Sequence, residues 1–347
     1  MAERFTTSPD TNQWSRSKKM IGAASLMLAI NGCSSAVGMS PTAPSLAPIE
    51  FNQPESAEYF LDSPDIYYEN IKATLPMTDD PATINAINRL VETPISQWLN
   101  TSIETTKLTI EDNIQQSAIE GTIPVFVAYN IPDRDLGGEA SGGLADVAEY
   151  QEWIEAISQT IGDTPSVIVL EPDAIGGVPQ IADRAVQDER LSLLRGALEL
   201  FGRENKNTAV YLDSGHSRWL GPEDAVDLIR RVDHGDNLVG GIALNVSNQR
   251  SNQETRAYAA NISELLGREL YVMIDTSMNG AKNTDDLLEW CNADGERVGQ
   301  LEDTAYSSDQ LVEEMYIKAP GESDGRCGES NKIAGEFDAE LFIKQVS

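Results

Sequence analysis

The sequence predicts an α/β fold in which parallel strands, joined by helical crossovers, are wound as a barrel or as an open sheet. Three observations lead there. Six short apolar stretches punctuate the chain, segments of helical length separate them, and each stretch runs into a carboxylate or an amide, the last by way of Lys318. β-Branched runs alternating with helical segments are the pattern of a parallel sheet. In such sheets the ligand sits beyond the carboxyl ends of the strands, so acids recurring there are placed to meet in one cleft.

In order, residues 82–91 read as a helix with Ile84, Ile87 and Leu90 on one side. Pro124-Val-Phe-Val-Ala-Tyr129 then runs into Asn130 and Asp133-Arg134-Asp135, and residues 145–161 form a second helix, with Trp153 in the core. Val167-Ile-Val-Leu170 leads into Glu171-Pro172-Asp173, followed by a helix over 184–201. Ala209-Val-Tyr-Leu212 meets Asp213 and Ser214-Gly-His216, ahead of a helix over 222–231. Gly240-Gly-Ile-Ala-Leu244 meets Asn245 and Asn248, ahead of a helix over 254–267. Leu270-Tyr-Val-Met-Ile274 ends on Asp275. Met315-Tyr-Ile317 ends on Lys318, Glu322 and Asp324.

At 347 residues the chain can bury a sizeable core. Its formal charge of −31, from 56 acids against 25 Lys and Arg, argues against nucleic acid or an anionic membrane surface as partner. Residues 1–33 read as a signal peptide: Arg16, Lys18 and Lys19 precede the apolar stretch Ile21–Ile30, too short for a stable span. Gly32-Cys33 at its end resembles a bacterial lipoprotein cleavage site, which would make Cys33 a lipid-anchored residue. An ordinary cleavable signal is the alternative. Residues 34–48, rich in Ser, Ala and Pro, read as a flexible tether, and 49–347 as one domain.

An exported chain passes through an oxidising compartment, where a single disulfide between the remaining cysteines, Cys291 and Cys327, is the simplest account; two free thiols are the alternative. With two histidines, His216 and His234, the chain has no Cys/His zinc spacing, so no metal and no cofactor are expected. Gly137-Gly-Glu-Ala-Ser141-Gly-Gly143 is no phosphate cradle, because Glu139 would repel the ligand. Gly215-His-Ser-Arg-Trp219 is no nucleophile elbow, because Trp219 stands where the closing glycine is required.

Carboxylate chemistry remains. A glycoside is cleaved by one neutral carboxylic acid that protonates the departing oxygen and a second carboxylate that assists water. A neighbouring acid raises the donor's pKa by like-charge repulsion. Asp135 and Asp173, ending successive strands, are placed to be such a pair; the plainer alternative is that one caps a helix or pairs with Arg134. Trp98, Trp219 and Trp290 fit stacking on pyranose faces.

Seven strings in order carry a family resemblance: Tyr129-Asn-Ile-Pro-Asp-Arg-Asp135, Ala140-Ser141-Gly-Gly, Leu170-Glu-Pro-Asp173, Tyr211-Leu-Asp213-Ser-Gly-His216-Ser-Arg-Trp219, Ile274-Asp-Thr-Ser, Glu289-Trp290-Cys291-Asn and Ile317-Lys318-Ala-Pro-Gly-Glu322-Ser-Asp324-Gly. From about residue 50 onward the chain resembles glycoside hydrolase family 6, the inverting cellulases. The resemblance implies a distorted, incomplete (β/α) barrel with an open active-site cleft at the strand C-terminal ends. It implies Asp173 as general acid, Asp135 raising its pKa and helping activate water, and Asp324 as candidate base, acting directly or through water. Ser141 would lie on the mobile loop that organises that water, Tyr129 would press on the sugar beside the scissile bond, and Asp213 would support the site. His216, Asn248, Lys318 and Glu322 would contact sugar, and Trp98, Trp219 and Trp290 would line the subsites.

Exo-acting members roof the groove with a long insertion after the strand carrying Lys318. Here Cys327 follows Asp324 almost at once, so the resemblance implies an open cleft and an endo-β-1,4-glucanase acting on β-glucan, which the leader marks for export and which is expected to work as a monomer. A cellobiohydrolase, an inactive carbohydrate-binding lipoprotein and a metal-dependent acid-rich enzyme are the competing readings. Leu136 stands where many relatives carry Cys, Met278 where Arg is frequent, and Gln249 and Ser251 where aromatics are common.

Overall fold

Residues 66–281, 290–299 and 312–347 are described by the computed structural model; the leader with Cys33, the tether and Glu289 lie outside them. Seven parallel strands pair in sequence order: β1 (Gln97–Leu99), β2 (Val125–Ala128), β3 (Ser166–Leu170), β4 (Thr208–Asp213), β5 (Gly241–Leu244), β6 (Tyr271–Asp275) and β7 (Val312–Met315). The outer strands approach at one bridge, Ile95 to Tyr316, and at Trp98, whose Nε1 donates to the Ile317 carbonyl at 2.9 Å. The result is an open half-barrel, as the sequence resemblance implied.

Both faces of this sheet are covered, which is why its strands read as nearly unbroken apolar runs. Alternate residues point opposite ways. Val125, Val127, Val167, Val169, Tyr211, Met273 and Met315 fill the lumen. Phe126, Ile168, Leu170, Leu212, Ile242 and Ile274 face outward onto the crossover helices. Those helices are α3 (Ile103–Glu120), α4 (Val147–Ile161), α5 (Arg184–Glu204), α6 (Pro222–Asp233) and α7 (Asn252–Leu266), one between each successive pair from β1 to β6. Side chains of Ser102, Asp146, Asp183 and Ser251 accept backbone N–H groups at four of their starts. Helices α1 (Ile66–Ala73), α2 (Pro81–Leu90) and α8 (Ala339–Val346) share a smaller core with Ile95 and Tyr316. Trp153 is fully buried, as expected.

Four elements escaped the sequence reading. Helix α3 buries Thr106, Ile110, Asn113 and Ser117, a helical stripe in which three of four members are polar, while Leu108 and Ile119 face solvent; its hydrophobic period is therefore faint. Strand β1 has three residues and begins on Gln97. Helices α1 and α8 have eight residues each, too short for a secure periodic signal. The last strand is also displaced: the expected run 315–317 contributes Met315 alone, and Glu313 and Glu314 occupy strand positions. Beyond Met315, the backbone N–H groups of Ile317 and Lys318 leave the sheet to donate to the Asp275 carboxylate.

Candidate active site

The carboxyl ends of the strands turn abruptly. Asp135, Glu171, Asp173, Asn245, Ser247 and Asn292 all adopt left-handed φ values between 42° and 69°. Each such residue costs of the order of 1–3 kcal/mol, and a cluster of them persists only where surrounding bonds over-determine the backbone. Those bonds come from buried carboxylates. Glu171, at the end of β3, accepts the N–H groups of Asn130 and Ile131, both 3.0–3.1 Å from Oε2, which fixes the turn after β2. Asp275, at the end of β6, accepts from Ser247, Ser277, Ile317 and Lys318. Asp213, at the end of β4, accepts the Asp173 N–H at 2.9 Å and that of Gly215 at 3.3 Å.

On this frame Asp135, Asp173 and Asp324 reach one cleft. One half, of about 480 Å³, is lined by these three acids with Trp98, Tyr129, Ser141, Lys318 and Glu322. The other, of about 660 Å³, is lined by Asp135 and Asp173 with His216, Trp219 and Gln249. Asn248 and Trp290 border both halves, so Asp135 and Asp173 stand at the junction. Trp219 lies directly on Gly176, where a Cβ would come 2.7 Å from its ring. Trp290 is 58% exposed. Among the described residues, then, every expected sugar-contact side chain borders the cleft; Asp213 lies beneath it, holding the Asp173 backbone.

The acids differ in environment. Burial, then the Asp135 charge, pushes the Asp173 carboxyl up to about 7, while a hydrogen bond from the Tyr129 hydroxyl (3.3 Å) works the other way. Burial also raises Asp135, against the Ala140 N–H that its Oδ2 accepts at 2.8 Å and the charge of Arg134. Tyr129 is pinned by Arg134, whose guanidinium lies 4.6 Å over its ring and donates to its carbonyl, and by the edge of Trp98 at 5.2 Å. Asp324 is held by Ser247 Oγ at 3.2 Å, the Asn292 N–H at 2.9 Å and a buried ion pair to Lys318 Nζ. Burial works against the Lys318 ammonium, but Asp324 beside it keeps its pKa above the usual lysine range. Burial and then Arg250 push His216 down to about 4, leaving a neutral imidazole.

Several of these residues had no role assigned from the sequence. Arg134, Ser247 and Asn292 act on the acids through turns that no local pattern announces, whereas Asp275 closes an apolar run and was legible as a strand-end acid without its bracing role. Glu171 did carry a signal, since it continues an apolar run into Pro172-Asp173. A further buried acid, Glu296, accepts from Gln249 Nε2 at 3.0 Å and from Gln345 of α8; Gln249 Nε2 also donates to the Trp290 carbonyl. Gln249 thus uses its amide to tie the Trp290 backbone to the core. The disulfide between Cys291 and Cys327 is present, with Cα atoms 6.0 Å apart.

Comparison with known proteins agrees with this geometry. The family model "Glycosyl hydrolases family 6" matches residues 57–340. Endoglucanase 1 of Streptomyces halstedii is 35% identical, over 83% of this chain and 88% of its own length. Endoglucanase A of Cellulomonas fimi is 31% identical over 75% of this chain, which spans about half of that longer protein, 55%. Among solved structures, the Mycobacterium tuberculosis endoglucanase Cel6, in complex with a methyl-cellobiosyl-4-deoxy-4-thio-β-D-cellobioside, superposes with a TM-score of 0.72 at 30% identity, covering 86% of this chain and 98% of that one.

Proposed function

The chain belongs to glycosyl hydrolase family 6, and from that membership we propose that it hydrolyses internal β-1,4-glucosidic bonds of cellulose or a related β-glucan, with inversion at the anomeric carbon. The observation that carries this reading is the position of Asp173: its half-buried carboxyl, pushed up to about 7, stands where the two halves of the cleft meet. Glucosyl units binding on both sides would place a mid-chain linkage beside a carboxylic acid that is still protonated near neutrality.

In this mechanism Asp173 donates its proton to the departing glycosidic oxygen. Water attacks the opposite face of the sugar, and its proton passes to the carboxylates across the cleft. Asp324, already paired with Lys318, favours a role as fixed anion and relay terminus through water, while Asp135 keeps Asp173 protonated by its charge. Tyr129, clamped by Arg134 and Trp98, presents a rigid surface against the distorted sugar. Trp219 and Trp290 offer ring faces to the chain on the far side. Ser141, exposed on its loop, is placed to order the attacking water.

The sequence supports an exported catalytic domain, 49–347, behind a signal peptide and tether, with Cys33 the lipid attachment point. The Cys291–Cys327 bond supports an oxidising destination.

Proton NMR of the first product formed from a soluble cello-oligosaccharide tests the mechanism: an initial α-anomer is expected, and an initial β-anomer would refute inversion. Viscosity of carboxymethylcellulose should fall well ahead of reducing-end release; parallel progress would favour the cellobiohydrolase reading. Incorporation of labelled fatty acid, lost in Cys33→Ala, checks the anchor.

A further inference from the structure

Glu139 stands on the Gly137–Gly143 loop and has no part in the chemistry above. Its Oε2 accepts the backbone N–H of Arg326 at 3.1 Å, joining the loop after β2 to the loop after β7 across 187 residues of sequence. The approach is close: a Cβ on Gly325 would fall 2.4 Å from the Glu139 Cβ, and Gly325 has φ +144°. Only glycine permits this contact.

Both sides of the contact are firmly held. On the near side Ala140 N–H donates to the Asp135 carboxylate, and Arg134 Nε donates to the Ala140 carbonyl at 2.9 Å. On the far side Asn292 Nδ2 donates to the carbonyls of Gly325 and Cys327, both at 2.9 Å, and Cys327 is bonded to Cys291. Glu139 therefore links a segment that is hydrogen-bonded to Asp135 and carries Ser141 with the segment that carries Asp324. Its own side chain is exposed, so the link can break and re-form at small cost.

We propose that Glu139 is a positioning residue: by accepting the Arg326 N–H it holds the Ser141 loop against the Asp324 loop and sets the spacing of the groups that flank the attacking water. This rests on the glucanase reading above. The relevant property is the acceptor oxygen, with the charge secondary. A hydrogen bond of this kind is modest, so its loss shifts the loop population without unfolding anything.

The test compares Glu139→Ala with Glu139→Gln, whose amide oxygen still accepts the same N–H. Two readouts are taken on the full chain: turnover of cello-oligosaccharides, and hydrogen exchange at the Arg326 amide. Glu139→Ala should lower kcat about five- to tenfold with little change in KM or melting temperature, and should speed exchange at Arg326. Glu139→Gln should restore most of both. Faster exchange at unchanged kcat would overturn the positioning role, and unchanged exchange in Glu139→Ala would overturn the contact itself. Equal loss in both variants would assign the effect to charge and overturn the proposal. A wild-type protein that protects Arg326 yet cleaves no β-glucan would instead refute the glucanase reading and leave the link standing.

Discussion

The backbone N–H of Asp173 donates to the side-chain carboxylate of Asp213 at 2.9 Å, so one acid from the end of β4 fixes the main chain of another just beyond β3. Burial, and then the charge of Asp173, pushes the Asp213 carboxyl well above its ordinary range. Asp173 keeps a left-handed φ of 69° under this constraint, and its carboxyl is thereby turned toward the cleft, beside Tyr129. The orientation of one side chain is set by a bond to its own backbone.

Replacing the proposed donor tests its role directly. Asp173→Asn should cut turnover of unactivated glucan by roughly 10²–10⁴-fold with the fold retained, because an amide supplies no proton. Substrates whose leaving group needs no protonation, such as a dinitrophenyl cellobioside, should lose far less. An equal loss on both, read as kcat with each substrate, would argue against acid catalysis by Asp173.

The pH profile follows from the same carboxyl. Asp173 must be protonated to act, so activity should fall as pH rises through about 7. Asp135→Asn removes the negative charge that contributes most to raising Asp173, so the surviving activity should have its alkaline limb at lower pH. A limb that stays in place would show that burial and the Asp324 charge hold the proton without Asp135.

The Lys318–Asp324 pair is buried on both sides. Lys318→Met leaves an unpaired carboxylate there and should destabilise the protein by roughly 3–5 kcal/mol in chemical denaturation. The double variant Lys318→Met with Asp324→Asn should recover part of that stability but not activity. Additive losses would mean that the two side chains do not interact.

Stability should also depend on pH in an unusual direction for a carboxylate-rich protein. Burial raises Glu171 and Glu296 to about 7 each. The folded chain then holds protons that the unfolded chain, with carboxyls near about 4.3, has already released. Their contribution is complete below that value and is lost as pH rises through 7. Each is worth of the order of 3 kcal/mol. Melting temperature should therefore fall between pH 5 and 7.5, and Glu296→Gln should flatten that fall. A melting temperature that rises across this window would contradict the assignment.

Reduction of the Cys291–Cys327 bond, which closes 36 residues of chain, should cost up to about 4 kcal/mol. An unchanged melting temperature in reductant would show that the bond does not limit unfolding.

What the sequence settled by itself was local and periodic. The five interior strands β2–β6 and the helices α4–α7 could be read from residue order, because a strand buried on both faces must be continuously apolar and each crossover helix must bury one stripe. The acids at strand ends were legible for the same reason: a polar residue closing an apolar run has one place to go, the rim of the sheet. Helix α3 stayed hidden because Thr106, Asn113 and Ser117 form much of its buried stripe, and β7 was misplaced because Glu313 and Glu314 break its pattern. Tertiary structure alone decided which acids line the cleft and which brace the backbone beneath it. Asp173, Asp213, Asp275 and Glu171 look alike in a sequence. They differ in which distant N–H groups and charges surround them, the donating N–H groups lying up to 43 residues away along the chain and the charges farther still.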